Sequence, residues 1–507
     1  MAKIEISHES NNSTPVSMDE EEKNDVKSMT DPVTEHALLM DWERGLVGWE
    51  SETDPSNPLN WTSWKKGYLM LMIAIISTLS PMASTLVSPG LTDTMNDFHT
   101  TSPIIGTFMI TIYVLGFAVG PLFLGPASEM YGRYPVVISS TLFFNIWLLG
   151  SALAPTMGSL ITMRLLAGIG GSGVMTVAPA IVADMYVVEK RAFATSVIVL
   201  AQCAGPAVGP LIGAFVIQAM GWRWAYWVLL MSASTTTAFL TIFMNESYAP
   251  VLLRRKKTKI SKETGRDDLK THLDRNVSKK QYVISSLLRP LKLLTTSPIA
   301  FLMCTYLAII YGILYLWFTT IPTTFINTYK WQTKWTGLAY LGLGLGMVFG
   351  LLIVMKTNDP TVMKLMKKNG GVYEPEMRLP VVIWYAGLVP VSVFWYGWSV
   401  QEQTHWIVPI IGSSLFGAGT LGIFVPVQQY LVDAFFPYSA SAVAATRTSL
   451  SIVGTFLPTA GPPLFNSLGL GVGNSVLGVI AVLLTPIPWL FYRYGGDIRR
   501  KYPVNLG

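Results

Sequence analysis

Charge is scarce in this sequence. Only 13% of its 507 residues are Asp, Glu, Lys or Arg, against about 25% in an ordinary soluble domain. Cysteine is scarcer still. The two present, Cys203 and Cys304, stand in apolar runs, where each reads as a small packing residue, and they allow no disulfide or zinc framework. The five histidines form no His-rich box, and neither paired cysteines nor a Ser-His set accompanies them. The chain is therefore not expected to be an enzyme, and no cofactor or metal site is expected. The phosphate-binding lysine pattern of nucleotide-driven machines is missing, which argues against drive by ATP. No early apolar leader is seen; the first apolar run begins near Gly67. The net charge of +6 is small for the length. It suits basic loops beside a membrane and gives no reason to expect a nucleic-acid partner.

Hydrophobicity takes the place of charge, at 51% of residues. About twelve apolar runs follow one another, each near the roughly 20 residues that a bilayer requires. They centre on Thr78, Tyr113, Phe144, Met175, Gly205, Ser234, Ala308, Gly344, Pro390, Gly419, Gly454 and Val482. The expected fold is an all-α membrane protein of about twelve transmembrane helices in two six-helix halves. Residues 1–60 are polar and acidic in part, and read as a disordered tail. Residues 61–245 form the first half, 246–297 a central loop, 298–492 the second half and 493–507 a second tail. Lysine and arginine crowd the central loop (Arg254, Arg255, Lys256, Lys257), the stretch after run 8 (Lys364, Lys367, Lys368) and the C-terminal end (Arg499, Arg500, Lys501). The opposite connections hold little beyond Lys330 and Lys334. Both tails and the central loop should then be cytoplasmic.

The two halves repeat one another. Gly168, Gly170, Gly173 and Asp184 match Gly417, Gly419, Gly422 and Asp433 at one offset (417 − 168 = 249), and Gly205 falls on Gly454 at the same offset. Six spans is an even number, so the copies share an orientation. Parallel halves about an axis along the membrane normal place a substrate site between them at mid-depth.

Polar groups inside the runs are few, and each is costly enough to be informative. Arg164 lies in run 4 and Arg447 in run 11. Either is a structural arginine bonded to carbonyls of a neighbouring helix, or a functional cation. No Asp or Glu lies at the centre of any run, which leaves Glu129, Asp184 and Asp433, near the ends, as titratable candidates. Tyr311 and Tyr315 stand four apart in run 7 with Phe318 one turn on, a spacing that puts them on one helix face. With Gln202, Gln428 and Asn145 they are candidates to line a cavity for a flat amphipathic molecule. Run 5 contains Gly205, Pro206, Gly209, Pro210 and Gly213. Glycines four apart give a smooth stripe for close helix contact, here expected against run 8 or 11, and the prolines bend the helix.

"GPASEMYGRYP", with Gly125, Glu129, Gly132 and Arg133, and "RLLAGIGGSG", with Arg164 and Gly168, resemble the loop and run 4 signatures of the major facilitator superfamily. Gly205-Pro206-Ala207-Val208-Gly209-Pro210 resembles its antiporter signature. "NPLNW", "GWRWAYW" and "YLVDAFFPYSASAVAATR" look more narrowly like fungal twelve-span drug:proton antiporters. Met130, Tyr134 and Ala167 depart from the usual pattern and thin the loop's charge network. The resemblance implies a proton-coupled efflux transporter for small amphipathic organic compounds, such as a drug, toxin or secondary metabolite. An importer of a small organic nutrient is the alternative. It implies coupling or gating roles for Glu129, Arg133, Arg164, Asp184 and Asp433. Its expected partners are the substrate, protons and the lipid bilayer, with a monomer in the plasma membrane, or alternatively a vacuolar one.

Overall fold

The computed structural model describes residues 39–40, 45–266, 268–271, 279–436 and 438–502. Most of the expected N-terminal tail, residues 1–38 and 41–44, lies outside the described residues, as do 503–507 at the other end. The first six spans are α1 (Ser63–Thr85), α2 (Pro103–Tyr131), α3 (Arg133–Ala152), α4 (Met157–Met185), α5 (Val188–Met220) and α6 (Trp222–Phe243). The second six are α7 (Pro298–Tyr329), α8 (Tyr340–Lys368), α9 (Leu379–Ala386 and Leu388–Gln401, broken at Gly387), α10 (Ile407–Ala434), α11 (Ser439–Phe456) and α12 (Gly461–Leu484). A terminal helix, α13 (Pro486–Lys501), follows. Among the described residues, eleven stretches are long and apolar enough to cross a membrane, and the last of them, Ser439–Lys501, runs for 63 residues and contains both α11 and α12. The expected twelve crossings are thus present in a multi-pass, all-α protein.

Local sequence sets several helix ends. Thr156 and Ser159 close a reciprocal capping box at the start of α4. Ser297 accepts the amide of Ala300 before Pro298 opens α7. Between α2 and α3 the chain turns on Gly132 at φ 109°, a conformation that favours glycine.

The halves repeat in space as in sequence. α4 packs on α2, where a Cβ at Gly168 would strike the Tyr113 carbonyl, and α10 packs on α8, where a Cβ at Gly417 would strike the Leu343 carbonyl. Likewise α5 lies along α1 and α11 along α7, and Gly454 abuts the Tyr311 ring. Each half has its own apolar core, built around residues such as Ile73, Phe144 and Leu229 in the first, and Trp317, Phe416 and Tyr430 in the second.

The glycine stripe of α5 is not directed at α8 or α11, as its sequence alone leads one to expect. A Cβ at Gly205 would come within 2.5 Å of the Thr78 carbonyl, Gly209 faces Thr85 and Met82, and Gly213 faces the Leu86 carbonyl, so the stripe lies on α1. The physical reason is legible at Pro210. Having no N–H, Pro210 cannot bond the carbonyl of Pro206 one turn earlier. The Thr85 hydroxyl of α1 donates to that carbonyl at 3.0 Å instead. The adjoining edge of α5 meets the second half: Gly344 of α8 lies against Ala207, and Gly337, just before α8, against Pro210 and Leu211.

A separate compact unit joins residues near the N-terminus to part of the central loop. In it β1 (Leu46–Val47) pairs in parallel with β2 (Lys270–Thr271). Burial alone would raise the pKa of Asp54. The amides of Glu50 and Ser56, at 3.0 and 2.8 Å, together with Lys256 at 3.6 Å, hold it below the usual carboxylate value.

The α8–α10 seam supplies a stability test. Gly342, Gly346 and Gly350 meet backbone or side-chain atoms at Ile410, Ser414 and Ala418. Gly346→Leu would force a side chain onto the Ser414 carbonyl, so it is expected to lower stability by about 1–3 kcal/mol. Thermal unfolding of the purified variant in detergent, read against wild type, measures this directly.

Candidate functional site

A cavity of about 860 Å³ lies between the two halves. Its wall includes Gln202 of α5, Tyr311, Tyr315 and Phe318 of α7, and Gln428 of α10, five of the six residues expected to line it. The aromatic groups form one continuous surface. Tyr311 and Tyr315 have ring centroids 4.9 Å apart, Tyr315 and Phe318 5.6 Å, and Tyr311 and Phe424 of α10 5.9 Å. Phe424 carries no polar tip and stands alone in an apolar run, so nothing in its sequence setting marks it as a wall residue.

Asn145 is the exception. It is 9% exposed and donates from Nδ2 to the Thr237 hydroxyl at 3.1 Å, joining α3 to α6 away from the cavity. A buried amide must find a partner, and Thr237 is near enough to serve.

One end of the cavity is closed by contacts between halves. The Ser84 hydroxyl of α1 lies 3.0 Å from the Tyr315 hydroxyl of α7. Thr111 of α2 donates to the Thr455 carbonyl of α11 at 2.8 Å, and Thr455 donates back to the Thr111 carbonyl at 3.3 Å. The amide of Lys334 donates to Gln218 Oε1 at 2.6 Å. Toward the other end the wall reaches Arg191 in the first turn of α5, Asp359 in the C-terminal half of α8 and Asp433 at the end of α10. A smaller cavity of about 420 Å³ adjoins it through Tyr311, Gln428 and Arg447, and extends to Glu129 and Arg133.

Arg164 proves to be structurally saturated. It is 1% exposed. Nε donates to the Met109 carbonyl at 2.6 Å, one terminal nitrogen to the Tyr226 hydroxyl at 3.0 Å, and the other to the carbonyls of Ser84 and Ile110 at 3.1 and 2.9 Å. One guanidinium thereby ties α4 to α1, α2 and α6. Glu129 and Asp184 are not among these partners.

The acids belong to other clusters. Asp184, at the end of α4, accepts from Arg133 Nε at 3.0 Å and from the Ser247 hydroxyl at 3.3 Å. Arg133 also donates to the Ser128 hydroxyl at 2.8 Å and lies over the Tyr248 ring. Glu246 completes the group. Its carboxylate accepts the amides of Arg133 and Tyr134 at the first turn of α3 (2.8 and 3.3 Å), where a negative charge is favoured. In the second half Asp433 accepts from Arg378 Nε at 2.6 Å and from the Tyr373 hydroxyl. Arg378 also bonds Gln429 Oε1 at 2.9 Å. Burial, then the hydrogen bond to Asp433, pushes the Tyr373 phenol up to about 12, with Arg378 opposing the rise.

The family model described as Major Facilitator Superfamily matches residues 73–458. A twelve-span protein with a cavity between two repeated halves has the architecture of a secondary transporter, and the chain belongs to the Major Facilitator Superfamily. It is 42% identical over 462 residues to "MFS transporter cpaT" of Aspergillus oryzae, covering 91% of this chain and 93% of that one. It is 44% identical over 471 residues to "MFS-type transporter penM" of Penicillium rubens, with 91% of each chain covered. Among solved structures it resembles the xylose transporter XylE from E. coli in a partially occluded inward open conformation. The TM-score is 0.63 at 17% identity, over 85% of this chain and 98% of that one, which is a likeness of fold.

The saturated bonding of Arg164 yields a prediction. Arg164→Ala removes four hydrogen bonds and opens a void where four helices meet, a loss on the order of 3 kcal/mol or more. Arg164→Lys keeps a donor and should retain an intermediate amount of folded protein. The yield of monodisperse protein and its unfolding temperature should rank wild type, Lys, Ala.

Proposed function

We propose that the protein is a proton-coupled exporter that moves small amphipathic organic compounds outward by alternating access. The observation that carries this reading is the cavity itself. It lies between two repeated halves, is lined by aromatic rings and a few amides, and is sealed at one end by neutral contacts while its wall runs toward the other. An apolar body stacks on Tyr311, Tyr315, Phe318 and Phe424, and Gln202 and Gln428 supply oriented hydrogen bonds. The seam of α1 with α5 brings the antiporter-like Gly205-Pro206-Ala207-Val208-Gly209-Pro210 to the first half's contact with α8, where relative motion of the halves must be absorbed.

Proton coupling is assigned to the carboxylates beyond the cavity. Asp184 with Arg133 and Asp433 with Arg378 occupy matching places in the two halves, at the ends of α4 and α10. Protonating either aspartate removes the charge that holds its arginine. That loosens one half's cluster as the halves rock, and reloading restores it. Glu129 lies close by in sequence and reaches the smaller cavity. In this reading the open end faces the cytoplasm. The basic central loop 246–297 and both tails lie on that side, the membrane is the plasma membrane, and one chain, which forms the whole cavity, is the transporting unit.

The test is transport by purified protein in liposomes with an imposed pH gradient, using a panel of aromatic amphiphiles. Movement of substrate opposite to protons is expected, and a protonophore should abolish accumulation. Transport that continues unchanged after the gradient collapses would reject coupling. Accumulation in the same direction as protons would establish an importer instead.

A further inference from the structure

We infer that the transported compound is a singly charged organic acid whose carboxylate is met by Arg447. The inference rests on the transport reading of the central cavity and specifies the chemistry of its cargo. Arg447 lies on α11, nine residues before its end at Phe456, well inside the span. It lines both cavities, in company with Tyr311, Gln428 and Leu450.

Its partners, or lack of them, set it apart. Arg164 has four acceptors, as described above. Arg133 and Arg378 hold Asp184 and Asp433. Arg191, the other arginine on the larger cavity's wall, donates to the carbonyls of Ala183 and Tyr186 at 3.0 and 3.4 Å. Among the described residues Arg447 makes neither an ion pair nor a side-chain hydrogen bond. Its nitrogens are not among the sealed, unpartnered atoms of the protein, so they open onto the cavity. The carbonyl-bonded structural role that its sequence setting suggests is therefore not the one it takes.

The acids of the cavity wall do not answer this charge. Asp433 and Asp359 both lie within reach of Arg378, at 2.6 and 3.6 Å. Glu129, on the wall of the smaller cavity, has contacts of its own. An unpaired guanidinium inside a span is costly, and its planar fork matches a carboxylate through two parallel hydrogen bonds. Among the described residues Arg447 is the arginine of the larger wall whose guanidinium has no bonded partner, and that single open fork matches one carboxylate. The aromatic surface beginning at Tyr311 takes the apolar body that such an acid carries, and about 860 Å³ accommodates a drug-sized molecule.

The experiment measures binding of radiolabelled 1-naphthaleneacetate and of its neutral amide, 1-naphthaleneacetamide, to the purified full chain in detergent. Wild type should prefer the acid by about tenfold or more. In Arg447→Gln the acid-to-amide ratio should fall to near unity, and Arg447→Lys should keep part of the preference. Wild-type binding of acid and amide with equal affinity would overturn the anion inference and leave the aromatic cavity intact. Binding of neither probe would overturn both. A preference that survives in Arg447→Gln would assign the anion to another group. Should that variant fail to fold, Arg447→Lys decides: loss of acid and amide binding in equal proportion would reject a charge-specific role.

Discussion

A carbonyl or amide buried among apolar helices cannot turn to water, and every span of this protein is arranged around that constraint. Proline inside a helix frees a carbonyl, and Pro210 does so at Pro206. Thr85 can answer only because the glycines of α5 let α1 approach to backbone contact. The same requirement shapes the first half more widely. Ser80 of α1 donates to the Gly171 carbonyl of α4 at 2.8 Å. Arg164 spreads its donors over carbonyls of α1 and α2 and the tyrosine of α6. Small residues permit close packing, and hydroxyls and one guanidinium then satisfy what close packing buries.

The duplication preserves packing more faithfully than chemistry. Glycines at matching positions set the same helix pairs in each half, and an aspartate ends both α4 and α10. Around those aspartates the halves diverge. The first half surrounds Arg133 with Glu246 and Ser128, and the second surrounds Arg378 with Gln429 and Tyr373. The arginines inside the spans diverge as well. Arg164 is consumed by the architecture of its half, whereas Arg447 faces the shared cavity. Among the described residues, the arginine of the cavity wall without a bonded partner thus stands on the second half.

Patterns local in sequence carried over well into the structure. Tyr311, Tyr315 and Phe318 share a face because their spacing follows the helical period. The repeat at Gly168 and Gly417 is a packing rule written twice. What depends on distant partners was not legible. Glu246 and Arg133 are 113 residues apart, and Arg378 and Asp433 are 55 apart; no local spacing announces either pairing. Asn145 has the composition of a wall residue, and only the approach of Thr237 reveals it as a bridge between helices. The partner of the α5 glycines was equally hidden, since a smooth stripe tells that a helix comes close without telling which one. Arg164 and Arg447 look alike in sequence, and their roles separate only when the acceptors around each can be counted.

The closed end of the cavity is held by Ser84 with Tyr315, Thr111 with Thr455, and Gln218 with a backbone amide, all uncharged groups. Water can satisfy each of these groups once it is exposed, so each bond has a net worth of only about 1 kcal/mol. Ionic strength should then have little grip on this latch, because screening acts on charges. In the proposed alternating cycle, a latch this weak would let the preference of a bound molecule select between its closed and open positions.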